Sequence, residues 1–410
     1  MIGGRFHAAK FARQLGVDVV LVHEPGKYED EFAGQCEQIV HANITDSRAV
    51  ASALAPLHRQ RPFDRVISTA DLGTVPAGEV TDAFGLPGNG ARAARTLKDK
   101  SLTRRILMEH DLNPVRFRVA YSSRDVEELL SDVGCPVVVK PLDASGSAHV
   151  NVVSDRREAD RAWSELLAAG YTEAIVEEYL EGDLITVEAF SSGGRHLTVA
   201  VTEETINEHY TEIGVTAPGR GSEPYAAAAR DLTVRLLDAV GVVEGPSHTE
   251  LIVTADGPRI LESHNRMAGV GIPELVRRAY GVDESRWFLS VTMGLEPLPQ
   301  QSPRSIGGAA IRFFAPPPGT IRHISGLDQL DARVLRVPPG ASTFGFPGLF
   351  DELAAAEVGV AIQMNEGDVI PEVKTGWDLR MGYVIASGVD ADAAVARCDE
   401  VLQAVCFQRC

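Results

Sequence analysis

Cysteine is scarce in this 410-residue chain: Cys36, Cys135, Cys398, Cys406 and Cys410 are five in all, and no two form C-x-x-C. An odd count without that spacing argues against a disulfide framework or a structural zinc site, and Cys135, just ahead of Val137-Val138-Val139, reads as a packed strand residue. No apolar run approaches the roughly 20 residues that a membrane helix needs. Met1-Ile2-Gly3-Gly4 does not open a signal peptide, so a cytoplasmic protein with no membrane partner is expected. Positive charge is also short. The 39 Lys and Arg against 57 Asp and Glu leave a net charge of −18, which repels phosphate backbones and argues against nucleic acid as a partner. The chain has no G-x-x-x-x-G-K-[ST] phosphate loop and no G-x-S-x-G nucleophile elbow. Gly88 to Ala93 fits the loose G-x-G-x-x-[GA] pattern, but it follows a turn and not a buried strand, so a loop capping the next helix is the better reading.

What is present is ordinary globular composition, 44% hydrophobic and 23% charged, and the length predicts two to four domains of about 100–200 residues each. A helix over 5–16 and a buried strand over 17–22 open an α/β pattern, and a helix over 47–59 and a strand over 64–69 continue it as a helix-covered parallel sheet. Such a sheet puts a strand before its first helix. Only Met1-Ile2 stand there, so a clipped first strand is expected. After the Gly85–Gly90 break comes one helix from Ala91 to about His110, with Lys98, Lys100, Arg104 and Arg105 on its polar side. Strands over 115–119, 136–140, 149–153 and 174–177 alternate with a helix that carries Asp125, Glu127 and Glu128 in its first turns and one over roughly 158–169. Antiparallel strands follow over 186–190 and 197–201, then a helix over 223–240 and a hairpin, 249–254 and 259–262, around Asp256-Gly257. Past Leu298-Pro299 a Pro/Ser-rich linker opens a third part with short strands and proline turns.

The hairpin places Glu250 and Glu262 on neighbouring strands around one tight turn, with side chains about 5 Å apart if they face the same way. Two acids so close repel unless a hard cation such as Mg²⁺ sits between them, or unless one faces solvent while Arg259 or Arg266 neutralises the other. His264, Asn265 and Arg266 follow directly, and the Arg266 fork suits carboxylate or phosphate oxygens. Lys140 ends an apolar run ahead of the loop Asp143-Ala144-Ser145-Gly146-Ser147, whose N–H groups could cradle phosphates; an ordinary hairpin with a snorkelling lysine fits equally well. Glu177-Glu178-Tyr179-Leu180 runs from a buried strand into Glu181-Gly182-Asp183, a hinge able to receive a flat base.

In this order, Lys100, Lys140 with its Ser/Gly loop, Glu177 to Leu180 with Gly182, Glu250, and Glu262 with Arg266 resemble the ATP-grasp superfamily over about residues 90–295. The resemblance implies an ATP-grasp fold of α/β class, α+β in places: a Rossmann-like N-terminal domain over 1–90, the ATP-grasp unit over 91–300 (lid 115–180, central antiparallel sheet 181–300), and a C-terminal α+β domain over 301–410. It implies that ATP phosphates meet Lys100, Lys140 and a lid of Ser145, Gly146 and Ser147. Adenine would meet Glu177, Glu178, Tyr179 and Leu180, with Asp183 beside the ribose. Mg²⁺, or Mn²⁺ in its place, would sit on Glu250, Glu262 and His264, with Arg266 and Lys140 at the chemistry. Here His264 stands where the superfamily's Glu-x-Asn has its amide, with Asn265 one place later, and Leu184 stands where a ribose-binding acid is usual.

Within the superfamily, His248-Thr249-Glu250-Leu251 and Leu261 to Gly269 are similar to the L-amino-acid ligases, as are Gly340, Arg380 to Val384 and a closing helix over 391–405. That similarity implies ADP-forming ligation of a small-molecule carboxylate and an amine, both amino acids, through an acyl phosphate, in a homodimer. Glu212, Arg266 and Gly269 are then substrate residues, and Glu212, His209 and His264 are alternative bases. The rival readings are a ligase or carboxylase using another carboxylate or bicarbonate, a non-catalytic ATP-binding module and, last, a Rossmann oxidoreductase.

Overall fold

The structure is a computed structural model that describes residues 1–4, 6–26, 34–144, 146–220, 224–338, 349–379 and 381–410. Ser145, Gly340, Arg380 and the expected helix starts at residues 5 and 223 lie outside these. The N-terminal layer contains α1 (Phe6–Gln14), β1 (Val20–His23), β2 (Gln38–His41), α2 (Ser47–Gln60) and α3 (Thr74–Phe84), and β1 pairs with β2 in parallel. Ile2 lies between two neighbours, bridging Val22 in parallel and donating its N–H to the Ile67 carbonyl at 2.9 Å. The strand expected over 64–69 is not one: the segment joins no ladder and leads into a 3₁₀ turn at Asp71–Gly73.

The single helix expected from Ala91 is two, α4 (Ala91–Lys98) and α5 (Lys100–Glu109). Asp99 breaks it. Its backbone is extended and its carboxylate accepts the N–H groups of Ser101 and Leu102, so it caps the second helix instead of continuing the first. The kink turns Arg104 inward to 2% exposure, where a polar outer face was expected.

Next come β3 (Phe117–Ala120), α6 (Ser123–Val133), β4 (Val137–Lys140), β5 (Asn151–Val153), α7 (Arg156–Ala168) and β6 (Ala174–Glu178). The four strands make one antiparallel sheet in the order β3-β6-β4-β5, and α6 and α7 cover one face through Val126, Leu129, Ala159, Trp163 and Leu166. The chain then forms β7 (Asp183–Ser192), β8 (Arg195–Ile206), β9 (Glu212–Ala217), α8 (Ala226–Val240), β10 (Gly245–Thr254), β11 (Gly257–His264), α9 (Ile272–Tyr280) and α10 (Glu284–Ser290). Strand alternation divides β7 cleanly. Ile185, Val187 and Ala189 pack with Leu232, Leu236, Leu237 and Val240 of α8, so that Thr186 and Glu188 face the other side. Burial of each aliphatic side chain contributes about 1.5–3 kcal/mol to holding that layer.

Past residue 300 come β12 (Gly308–Phe313), β13 (Gly319–Ser325), β14 (Arg333–Arg336), α11 (Leu349–Leu353), β15 (Val358–Ile362), β16 (Val369–Ile370), β17 (Gly382–Gly388), α12 (Ala391–Ala404) and β18 (Cys406–Arg409). Four of these strands extend the central sheet, giving nine in the order β11-β10-β7-β8-β9-β12-β17-β15-β14. The nine-stranded and four-stranded sheets face each other across a cleft. Among the described residues no helix is long and apolar enough to cross a membrane.

Candidate active site

The cleft holds about 490 Å³. Its floor is the β10–β11 hairpin, where the register puts Glu250 opposite Glu262 and His248 opposite His264. After Glu250 the register slips by one residue, a bulge that turns Leu261 into the cleft. Arg104 anchors this irregular point, donating to the Ile260 carbonyl and, at 2.9 Å, to the Leu261 carbonyl. Its Nε also donates to Glu177. Nothing in the sequence marked Arg104 apart from its neighbour Arg105; the only available signal was the capping aspartate that rotates α5.

Each acid of the floor carries an imidazole two residues away. His264 Nε2 is 3.1 Å from Glu262 Oε1, and His248 Nε2 is 3.3 Å from Glu250 Oε1. The two rings are nearly parallel, with centroids 6.2 Å apart. Lys100 Nζ lies 3.1 Å from the second oxygen of Glu262 and donates to the Ala144 carbonyl at 2.8 Å, tying the floor to the start of the loop above. Burial pushes the Glu262 carboxyl up, but Lys100 and His264 outweigh it and hold the group well below the usual carboxylate range. Burial likewise opposes the charge on Lys100, and Glu262 more than restores it.

Glu250, Glu262 and His264 each offer a ligand atom, and these lie within 4.8 Å of one another. Two carboxylates and an imidazole in that space suit a divalent cation of the Mg²⁺ or Mn²⁺ kind. Asn265, the amide one place after His264, lines a separate small cavity with Val66, Asn89 and Thr292 and not this cleft. Glu204, His248 and Glu250 form a second cluster of the same span.

The lid side is built on β4 and β6. Lys140 lines the cleft, with Nζ 2.8 Å from Glu177 Oε2. Burial raises the Glu177 carboxyl, yet Arg104 and Lys140 bring it down to about 2. Glu177 is therefore taken up by two cations, whereas the sequence reading had it facing a base. Glu178 is held at its backbone and side chain: its N–H donates to the Arg116 carbonyl at 3.0 Å, and its carboxylate accepts the Arg116 N–H at 3.0 Å and the Arg116 Nε at 2.9 Å. Tyr179, Leu180, Gly182 and Leu184 continue the wall. Gly182 has a positive φ of 155°, and a side chain there would collide with the Val253 carbonyl. Asp183, expected beside the ribose, is exposed and outside the cleft lining; strand alternation sends it to the opposite face from Leu184.

Gly146 and Ser147 line the cleft mouth, where Ser147 Oγ donates to the Tyr210 carbonyl at 2.8 Å. The Gly376 N–H reaches the Gly146 carbonyl at 3.2 Å, bringing Trp377 over the loop. At the other end stand Arg266 and Gly269, with Glu204 and Glu212 on β8 and β9. Burial first, and Glu250 among the neighbouring acids, pushes both Glu204 and Glu212 well above the ordinary range. Glu212 Oε1 is buried without a hydrogen-bond partner.

One site residue that the sequence did not announce comes from the N-terminal layer. Asp71 accepts Arg266 Nε at 3.1 Å, pairs with Lys98 and lies 3.7 Å from His264 Nδ1. Burial would raise Asp71, but Arg266 and Lys98 bring it down to about 2. Only the folding of 64–73 beneath the hairpin brings it there, and no local pattern signals that.

Comparison with known proteins bears on the family and the fold. The family model described as "ATP-grasp domain" matches residues 133–274, and that described as "ATP-grasp N-terminal domain" matches residues 8–88. Human carnosine synthase 1 is 27% identical over 325 residues, 72% of this chain, which spans only 39% of that protein. An L-arginine-specific L-amino acid ligase of Bacillus subtilis is 21% identical over 297 residues, covering 70% of this chain and 71% of the relative. The crystal structure of an L-amino acid ligase from Bacillus licheniformis shares the fold, with a TM-score of 0.78 at 20% identity over 100% of this chain and 98% of that one.

Proposed function

Because the chain belongs to the ATP-grasp superfamily, we propose that its cleft joins a carboxylate to an amine at the expense of ATP, with amino acids as both partners and ADP and phosphate released. The observation that carries this reading is the Glu250–Glu262 pair, opposed across the hairpin with Lys100 at its side and Lys140 on the facing sheet.

In the first half-reaction a substrate carboxylate oxygen attacks the γ-phosphorus of ATP and the bond to the β-phosphate oxygen breaks, giving an acyl phosphate and ADP. Lys140 and Lys100 neutralise phosphate oxygens, and the N–H groups of Gly146 and Ser147 close over them. A divalent cation held by Glu250, Glu262 and His264 would supply charge neutralisation on the triphosphate. The backbone of Tyr179 and Leu180 borders the flat base. In the second half-reaction the amine nitrogen attacks the acyl carbon, Arg266 stabilises the oxyanion, and phosphate leaves, taking up the proton that the nitrogen gives up. Glu212 and Glu204, buried acids that line the cleft beside Glu250, favour an ammonium-bearing substrate near Gly269. Closure of the lid excludes water, which would hydrolyse the acyl phosphate.

The test is a phosphate-release screen of amino-acid pairs with ATP and Mg²⁺, followed by the mass of the product. ADP release that requires both a carboxylate and an amine, with a product lighter by one water than its parts, is expected. Release with bicarbonate alone, or none with any pair, would overturn the reading.

A further inference from the structure

Behind Glu250 lies a polar thread that the proposed reaction does not use. Glu188 on β7 is 1% exposed, sits directly opposite His248 in the β7–β10 register, and its Oε1 is 2.8 Å from His248 Nδ1. The same oxygen accepts Thr186 Oγ1 at 2.7 Å, and that hydroxyl lies 2.7 Å from Thr202 Oγ1. Thr186 and Thr202 are wholly buried. From the other ring nitrogen, His248 reaches the Oε1 of Glu250 at 3.3 Å.

A carboxylate and an imidazole inside a sheet are a poor way to gain stability, since apolar residues of the same volume do as well or better there. What such a thread does supply is direction. With Nδ1 fixed by Glu188, the imidazole ring cannot turn, and its Nε2 stays on one oxygen of Glu250. The carboxylate is thereby held in the rotamer that faces Glu262. We propose that Glu188 is a positioning residue: acting through His248, it sets the orientation of Glu250 and hence the affinity of the hairpin for a divalent cation. This rests on the assignment of Glu250 as a metal ligand in the preceding reading. Outer partners of this kind change metal affinity by about 10–100-fold when removed.

The experiment measures Mn²⁺ binding to the full chain in the presence of ADP, from the EPR signal of the free ion, with no amino acid added. Glu188→Gln is expected to weaken binding about 10–100-fold. His248→Gln should do the same, and the double variant should be no weaker than either, because one thread is cut once. Should Glu188→Gln fail to fold, Thr186→Val, which removes the hydroxyl steadying Glu188, should weaken binding by a smaller factor. Affinity within twofold of wild type in the Glu188 or Thr186 variant, or additive losses in the double variant, would overturn the proposal while leaving the ligase reading standing. A ¹⁴N modulation of bound Mn²⁺ that vanishes in His248→Gln would make His248 a ligand and also overturn it. If the wild type bound no Mn²⁺ at all, the metal assignment itself would fall, and this inference with it.

Discussion

Lys140 Nζ and Glu177 Oε2 stand 2.8 Å apart at the point where the lid sheet meets the floor, and Arg104 grips the other oxygen of the same carboxylate. One buried anion thus fixes both a cation that faces the cleft and a cation that props the bulge beneath it.

Glu177→Gln leaves two buried cations without their shared partner, so a loss of about 3–5 kcal/mol at neutral pH is expected. The pH dependence follows from the sign of the shift. The carboxyl is lowered from 4.5 to about 2 in the folded chain, so its contribution is fully present above pH 4.5 and is lost as pH falls towards 2. Urea melts of wild type and variant should therefore differ widely at pH 7 and converge near pH 2; a constant gap would refute the assignment.

Lys140→Ala should raise the KM for ATP and lower kcat together, because the ammonium meets bound and reacting phosphates alike. A loss of about 10²–10³-fold in kcat/KM is the expected scale for one preorganised donor. Steady-state ADP release checks it, and an unchanged profile would remove Lys140 from the reaction.

Glu262→Gln keeps the shape of the side chain but removes the charge that pairs with Lys100 and His264. ADP release should fall below detection, and Mg²⁺ titration should no longer saturate in the millimolar range. Near-normal turnover would sink the metal assignment.

Arg266→Lys should lose about 10²-fold in kcat, since a point charge cannot replace the planar fork. Asp71→Asn, which loosens Arg266 from its 3.1 Å anchor, should lower kcat less and leave the KM for ATP nearly unchanged. A split in the opposite direction, in KM alone, would place Arg266 on the nucleotide and not at the developing oxyanion.

Much of the site was legible because its residues sit at fixed distances along single strands or across one hairpin. Glu250 and Glu262 straddle a tight turn, and Lys140 ends a strand, so period-two alternation and turn chemistry suffice to bring them to one surface. What escaped depends on contacts between segments far apart in the chain. Arg104 was read as an outward cation because the break at Asp99 was read as helix. Asp71 enters the cleft from the N-terminal layer and Glu204 from a strand two places away in the floor's own sheet, and no local period encodes that. Asp183 failed for a simpler reason: neighbouring strand residues point to opposite faces, and Leu184 has the inward one.

The final hundred-odd residues share hydrogen bonds with the sheet that carries Glu250, since β12 lies directly against β9 over Ala309–Arg312. Cutting the gene at the proline linker would not liberate a smaller working unit. It would strip one whole side from β9, bare the amides and carbonyls that Ala309 to Arg312 now engage, and leave a sticky margin inviting stacking between chains. Tagging or trimming schemes should accordingly spare that boundary, however domain-like it looks on paper.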